Sequence, residues 1–73
     1  MQDFANRLKH ARMMKRLTQR QVAENTGLNQ SSIHRWEHGE TKPNVEAIKK
    51  LIDLYDCSAD YLFGLTDIRR RRI

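Results

Sequence analysis

Apolar positions along the 73-residue chain fall into five short groups separated by polar or glycine-bearing breaks. Phe4, Leu8 and Ala11 recur at helical spacing and Leu17 follows a basic stretch, which predicts a first helix over about residues 3–15. Thr18 and Gln21 have the spacing of a capping box, in which each side chain satisfies the other residue's free backbone donor, so a second helix starts at Thr18. Gly27 supplies a left-handed residue after that helix ends near Thr26, and Asn29 caps a third helix that runs through His38 and stops at Gly39. Pro43 and Asn44 open a fourth, whose expected stripe is Val45, Ile48, Leu51, Ile52 and Tyr55. Ser58 caps a short fifth helix carrying Tyr61 and Leu62 and ending at Gly64. No run alternates polar and apolar over strand length, so the expected class is all-α, a compact five-helix domain. Residues 65–73 have no cap and include Arg69, Arg70, Arg71 and Arg72, so they read as a mobile basic tail.

Residues 19–38 have the form of a helix-turn-helix, two short helices joined by a tight turn over residues 27–29. Ala23 sits where the helices would cross, and its small side chain permits close approach. Val22, Leu28, Ile33 and Trp36 are spaced to enter the core, which leaves Gln30, Ser31, His34 and Arg35 facing outward. Trp36 is in phase with Ile33 and therefore reads as core rather than as a stacking platform. An exposed helix face made of amide, hydroxyl and guanidinium groups suits the edges of base pairs.

Charge sharpens that reading. Lys and Arg number 14 against 9 Asp and Glu, a net charge of +5 that favours a polyanionic partner. Residues 1–20 carry six basic groups against Asp3 alone, whereas residues 43–68 are net acidic and Arg69–Arg72 are basic again. Such a polarised molecule should approach a polyanion in one preferred orientation.

Other classes drop out. The single cysteine, Cys57, forms no internal disulfide and reads as a buried packing residue, no leader-like segment opens the chain, and no apolar run approaches the roughly 18 residues of a membrane span. The expected location is cytoplasmic, at the nucleoid, with no membrane partner. At this length a large substrate cavity is not expected, and no Gly-rich phosphate loop or Ser/His/Asp constellation stands out, so the chain does not read as an enzyme and no cofactor or small-molecule ligand is expected. His34 and His38 lie four apart on one helix face, but no third ligand is near them in sequence, so no metal site is expected.

The segment Leu17-Thr18-Gln19, Val22-Ala23, Gly27-Leu28-Asn29-Gln30, Ile33, Trp36-Glu37 and Gly39, followed by Pro43, resembles the XRE family of bacterial and phage helix-turn-helix regulators, which includes the lambdoid phage repressors and Cro proteins. The stretch from Ser58 to Asp67 is similar to the fifth helix of that family and its exit, so the resemblance covers about residues 3–66. It implies a lambda-repressor-like fold over residues 1–66, with a basic tail over residues 67–73.

The resemblance also implies roles. It implies base reading by Gln30, Ser31 and Arg35 and backbone contact by Gln19, Lys42 and Asn44; by their place near these residues His34 is a further expected base contact, and Ser32, His38 and Thr41 further expected phosphate contacts. Arg12 and Glu37 match a family ion pair that ties the first helix to the third. Two positions depart from the pattern. Arg16 stands where the family often has glycine, so the first turn is expected to be strained or reshaped, and Thr26 replaces an aliphatic side chain.

The expected function is a repressor that binds a palindromic double-stranded DNA operator as a homodimer, because one recognition helix reads only a few base pairs. Ala59, Leu62, Phe63 and Leu65 are the expected dimer contact. An acidic face near Glu37 or Glu40 would be the point of contact with RNA polymerase if the protein activates. With no effector domain in these residues, regulation is expected through concentration and operator occupancy. The alternative is a protein-interaction module on the same fold, an antirepressor or antitoxin component.

Overall fold

A computed structural model describes residues 2–70. The described residues form five helices: α1 (Gln2–Met14), α2 (Gln19–Thr26), α3 (Gln30–Glu37), α4 (Val45–Tyr55) and α5 (Ala59–Leu62). Each of the last four begins at a polar cap. The Thr18 hydroxyl accepts from the Gln21 amide while the Gln21 side chain accepts from the Thr18 amide, completing the capping box. Asn29, Asn44 and Ser58 accept from the Ser31, Ala47 and Tyr61 amides in the same way. Gly27 closes α2 with φ at +76°, a left-handed value that glycine adopts without steric cost.

The core gathers one face of every helix: Phe4, Leu8 and Ala11 from α1, Val22 from α2, Ile33 and Trp36 from α3, Leu51 and Tyr55 from α4, and Tyr61 and Leu62 from α5, with Cys57 between the last two helices. On α4 the stripe is centred on Ala47, Leu51 and Tyr55. Val45, expected in that stripe, lies at the first helical position and is 67% exposed. Small Ala47 takes the inward place instead. The α1–α3 and α2–α3 pairs fix the position of α3, which packs against both α1 and α2.

Two departures from the family pattern have clear local consequences. Arg16 adopts φ of +57°, in the left-handed region that disfavours a Cβ-bearing residue. The turn there is closed by the Arg16 amide donating to the Met13 carbonyl at 2.9 Å and the Leu17 amide to the Arg12 carbonyl at 3.3 Å. Thr26 is partly buried, and its hydroxyl donates to the Val22 carbonyl at 2.7 Å and accepts from the Leu28 amide at 3.2 Å. The hydroxyl therefore supplies the turn with hydrogen bonds that an aliphatic side chain would not.

The segment after α5 differs from the expected mobile tail over residues 65–70. The Ser58 amide donates to the Arg69 carbonyl at 2.8 Å, and Cys57 pairs with Arg70 in an isolated antiparallel bridge. Arg7 reaches across from α1 and donates to the carbonyls of Tyr61 at 2.9 Å and Thr66 at 2.8 Å, and its Nη2 pairs with Asp67 at 2.9 Å. These backbone and charge-assisted bonds hold the chain against α1 and the α4–α5 junction. Arg71 and Arg72 of the expected tail lie outside the described residues. No helix among the described residues is long and apolar enough to cross a membrane.

Candidate nucleic-acid interface

The recognition unit is anchored by a buried ion pair. Glu37, at the end of α3, is buried, and Arg12 of α1 grips it with Nε to Oε2 at 2.8 Å and Nη2 to Oε1 at 3.0 Å. The remaining Arg12 nitrogen donates to the Leu17 carbonyl at 2.7 Å, so one guanidinium ties together α1, the α1–α2 turn and α3. Hydrogen bonding to the carboxylate raises the Arg12 pKa above its ordinary value. Tyr55 packs nearby, its own pKa raised first by burial and then by the charge of Glu37. The buried Tyr55 hydroxyl lacks a hydrogen-bond partner within the described structure.

Gln19 opens α2 beside this pair. Its Nε2 donates to Glu37 Oε1 at 3.1 Å, which fixes the side chain of a residue expected on a phosphate. The residues expected to read bases lie along the exposed side of α3. Gln30, Ser31, His34 and Arg35 line one open depression together with Gln19, and all four α3 residues are exposed. Two hydrogen bonds order this face. The Ser31 hydroxyl bonds the Asn29 cap carboxamide oxygen, which only accepts, so the serine oxygen is left to present lone pairs. Arg35 Nη2 approaches the hydroxyl of half-buried Ser32 at 3.4 Å, a long contact that leaves the guanidinium able to turn.

The other expected phosphate contacts flank α3. His38 forms its C-cap, with Nδ1 bonded to the His34 carbonyl at 2.9 Å. Thr41 and Lys42 are exposed in the loop before α4, and exposed Asn44 caps that helix. The first amides of a helix carry positive partial charge, which suits a phosphate oxygen. At about 1.5 Å per residue, eight-residue α3 is roughly 12 Å long, comparable to the width of the DNA major groove.

Two of the expected contact residues need correction. Leu62 is fully buried beneath α5 and cannot form part of a surface contact. Glu37 is committed to Arg12 inside the protein, so it presents no acidic face to a polymerase; Glu40 is exposed. Sequence reasoning missed Arg7, because its partners at Tyr61, Thr66 and Asp67 lie more than fifty residues away in the chain and leave no local pattern. Ala59 is half-buried, while Phe63 and Leu65 are exposed and Ile68 adds a third exposed apolar side chain beyond α5.

Known proteins place this architecture. A sequence profile described as helix-turn-helix matches residues 8–62. The HTH-type transcriptional regulator YobD of Bacillus subtilis (strain 168) is 39% identical over 64 residues, which cover 88% of this chain and 57% of that protein. The HTH-type transcriptional regulator ImmR of the same strain is 31% identical over 94% of this chain and 54% of its own length. The HTH-type transcriptional activator BcrR of Enterococcus faecalis is 33% identical over 85% of this chain and 30% of its own length. The chain thus spans little more than half the length of the first two relatives. Among solved structures, the P22 c2 repressor protein in complex with synthetic operator 9T superposes with a TM-score of 0.77 at 31% identity, covering 85% of this chain and 94% of that one. The family and fold are those of DNA-binding regulators rather than of enzymes, and the chain belongs to the XRE family of helix-turn-helix proteins.

Proposed function

We propose that this chain is a sequence-specific, double-stranded DNA-binding transcriptional regulator that lays α3 in the major groove. The observation that carries the reading is the convergence of Gln30, Ser31, His34 and Arg35 with Gln19 on one exposed face of a helix that the buried Arg12–Glu37 pair ties to α1. Gln30 suits the N6 and N7 edge of adenine, and Arg35 the O6 and N7 edge of guanine, each pair discriminating by about 1–3 kcal/mol. Gln19, Ser32, His38, Thr41, Lys42 and the Asn44 helix start position the domain on phosphates without reading sequence. The operator seen with the P22 c2 repressor supports the partner.

In this reading the protein works in the cytoplasm as a homodimer on a palindromic operator and represses by occluding polymerase. Phe63 and Leu65, with Ala59 at the edge and Ile68 beside them, form the dimer contact. Selection of sites from a random duplex pool tests this directly. A palindrome with half-site centres about 10–10.5 base pairs apart, bound by two chains, is the expected winner. Arg35→Ala then relaxes preference at one position, and Lys42→Ala weakens binding to all sequences while lowering the salt slope by about one. Salt-sensitive, sequence-blind binding overturns the reading and shifts the assignment to a protein partner on the apolar exit of α5.

A further inference from the structure

We propose that His34 and His38 form a two-imidazole site for a divalent transition-metal ion of the zinc, nickel or copper kind. The two exposed rings lie one turn apart on α3 with centroids 4.0 Å apart and planes 28° from parallel. Nδ1 of His38 meets the His34 carbonyl at 2.9 Å. A carbonyl can only accept, so Nδ1 holds the proton of the neutral ring and Nε2 keeps a lone pair. Donation of one ring N–H to a backbone carbonyl, with the other nitrogen left basic, is the arrangement that metal-ligating histidines adopt.

Two nitrogens at roughly 2.0–2.1 Å from one tetrahedral ion stand about 3.3 Å apart. Ring lone pairs lie in the ring plane, so the stacked pair does not itself converge on an ion; the exposed His34 ring must turn well out of the stack while His38 keeps its bond to the His34 carbonyl. Among the described residues no group of three or more His, Cys, Asp or Glu is arranged to hold an ion. Water therefore fills the remaining positions, and the site is exchangeable rather than structural. Imidazole without carboxylate selects zinc, nickel and copper over magnesium and calcium.

The place of the site gives it a consequence. His34 lines the same depression as Gln19, Gln30, Ser31 and Arg35, so an ion held there takes an imidazole away from the base edges and obstructs the approach of α3. Metal and specific DNA therefore compete. This consequence rests on the DNA reading above, whereas the metal site does not.

Calorimetric titration of the 73-residue chain with Zn2+ and with Ni2+, in the absence of DNA, tests the site. One ion should bind per chain at micromolar concentration, with at least a tenfold loss in His34→Asn and in His38→Asn and no change in His10→Asn. Binding that appears only at millimolar concentration, or that survives both substitutions on α3, overturns the proposal. In a second arm, Zn2+ should release the chain from its selected duplex and a chelator should restore the complex. Resistance of that complex to zinc overturns the competition. Failure to select any duplex counts against the DNA reading, and the calorimetry still decides the metal site.

Discussion

Two arginines five residues apart on α1 fasten different parts of the molecule by different physics. Arg12 forks onto Glu37 in a pair whose side chains are only 12% and 1% exposed, beside the face proposed to read DNA. Arg7 holds the exit of α5 through two backbone carbonyls and through Asp3 and Asp67, carboxylates that are 66% and 96% exposed. Its guanidinium also lies 4.8 Å from the Tyr61 ring centroid. A buried pair has its desolvation cost already spent and is strongly position-specific, so losing one member leaves a charge stranded. Exposed ion pairs exchange easily with water and salt ions. The difference shows where the fold is rigid. The orientation of α3 is locked by the buried pair, and the surface proposed for the partner chain is held by contacts that can adjust.

The largest expected effect comes from breaking the buried pair. Glu37→Ala strands the Arg12 guanidinium and releases Gln19, and should lower stability by about 3–5 kcal/mol in urea unfolding. The double variant Arg12→Met with Glu37→Met should recover much of that loss, because no isolated charge is left inside. A loss in Glu37→Ala no larger than that of an ordinary surface substitution would erase the contrast between the two arginines.

The next test compares two leucines on either side of the α5 exit. Leu62 is fully buried and Leu65 is 75% exposed. Leu62→Ala should cost about 2–5 kcal/mol through lost transfer and the cavity it leaves. Leu65→Ala should change monomer stability by no more than about 0.5 kcal/mol and instead weaken self-association, read by sedimentation equilibrium. A Leu65→Ala chain that unfolds as easily as Leu62→Ala would place that residue in the core rather than on a contact surface.

What the sequence made legible follows from the range of each interaction. The capping box at Thr18 and Gln21, the caps Asn29, Asn44 and Ser58, and the left-handed Gly27 all act within a few residues, and local pattern located them. The Arg12–Glu37 pair was reachable only through the family resemblance, since nothing in either residue's neighbourhood points to the other. Arg7 matched no motif, and its partners at Tyr61, Thr66 and Asp67 are brought to it by the packing of α5 on α1. In the expected α4 stripe only Val45 was misplaced. The helix phase set by Leu51 and Tyr55 puts Ala47, not Val45, inside. Leu62 and Leu65 could not be separated by composition, because α5 ends between them and the periodicity ends with it.

Arg16 gives a smaller effect of opposite sign. Its φ of +57° costs a Cβ-bearing residue about 1–2 kcal/mol relative to glycine, while glycine adds roughly 0.4–1 kcal/mol of chain entropy to the unfolded state. Arg16→Gly should therefore stabilise by up to about 1 kcal/mol, seen as a higher urea midpoint at unchanged slope. It also removes a positive charge from the basic first element, so DNA affinity is best compared at matched salt.

The smallest global effect is expected at Arg7, and there the decisive readout is local. Arg7→Met keeps an apolar stem against Tyr61 but removes every donor to the Tyr61 and Thr66 carbonyls and to Asp67. Unfolding should shift only slightly, because the core residues Leu8, Leu51 and Leu62 are untouched. Hydrogen exchange should instead rise sharply at the Ser58 amide, whose acceptor is the Arg69 carbonyl in the released segment, and stay protected at the Gly27 amide, which bonds within the reading unit. Salt separates the two arginines further. Raising ionic strength from about 0.1 to 1 M shortens the screening length from about 10 to 3 Å, which weakens the pairs of Arg7 with Asp3 and Asp67 but hardly reaches the buried fork of Arg12. Wild-type chain in high salt should thus move part of the way toward Arg7→Met at the Ser58 amide, the two carbonyl bonds holding the rest. Equal loosening of α3 under the same salt would mean that the reading face is no better anchored than the exit, and that the rigidity assigned to the buried pair comes from elsewhere in the core.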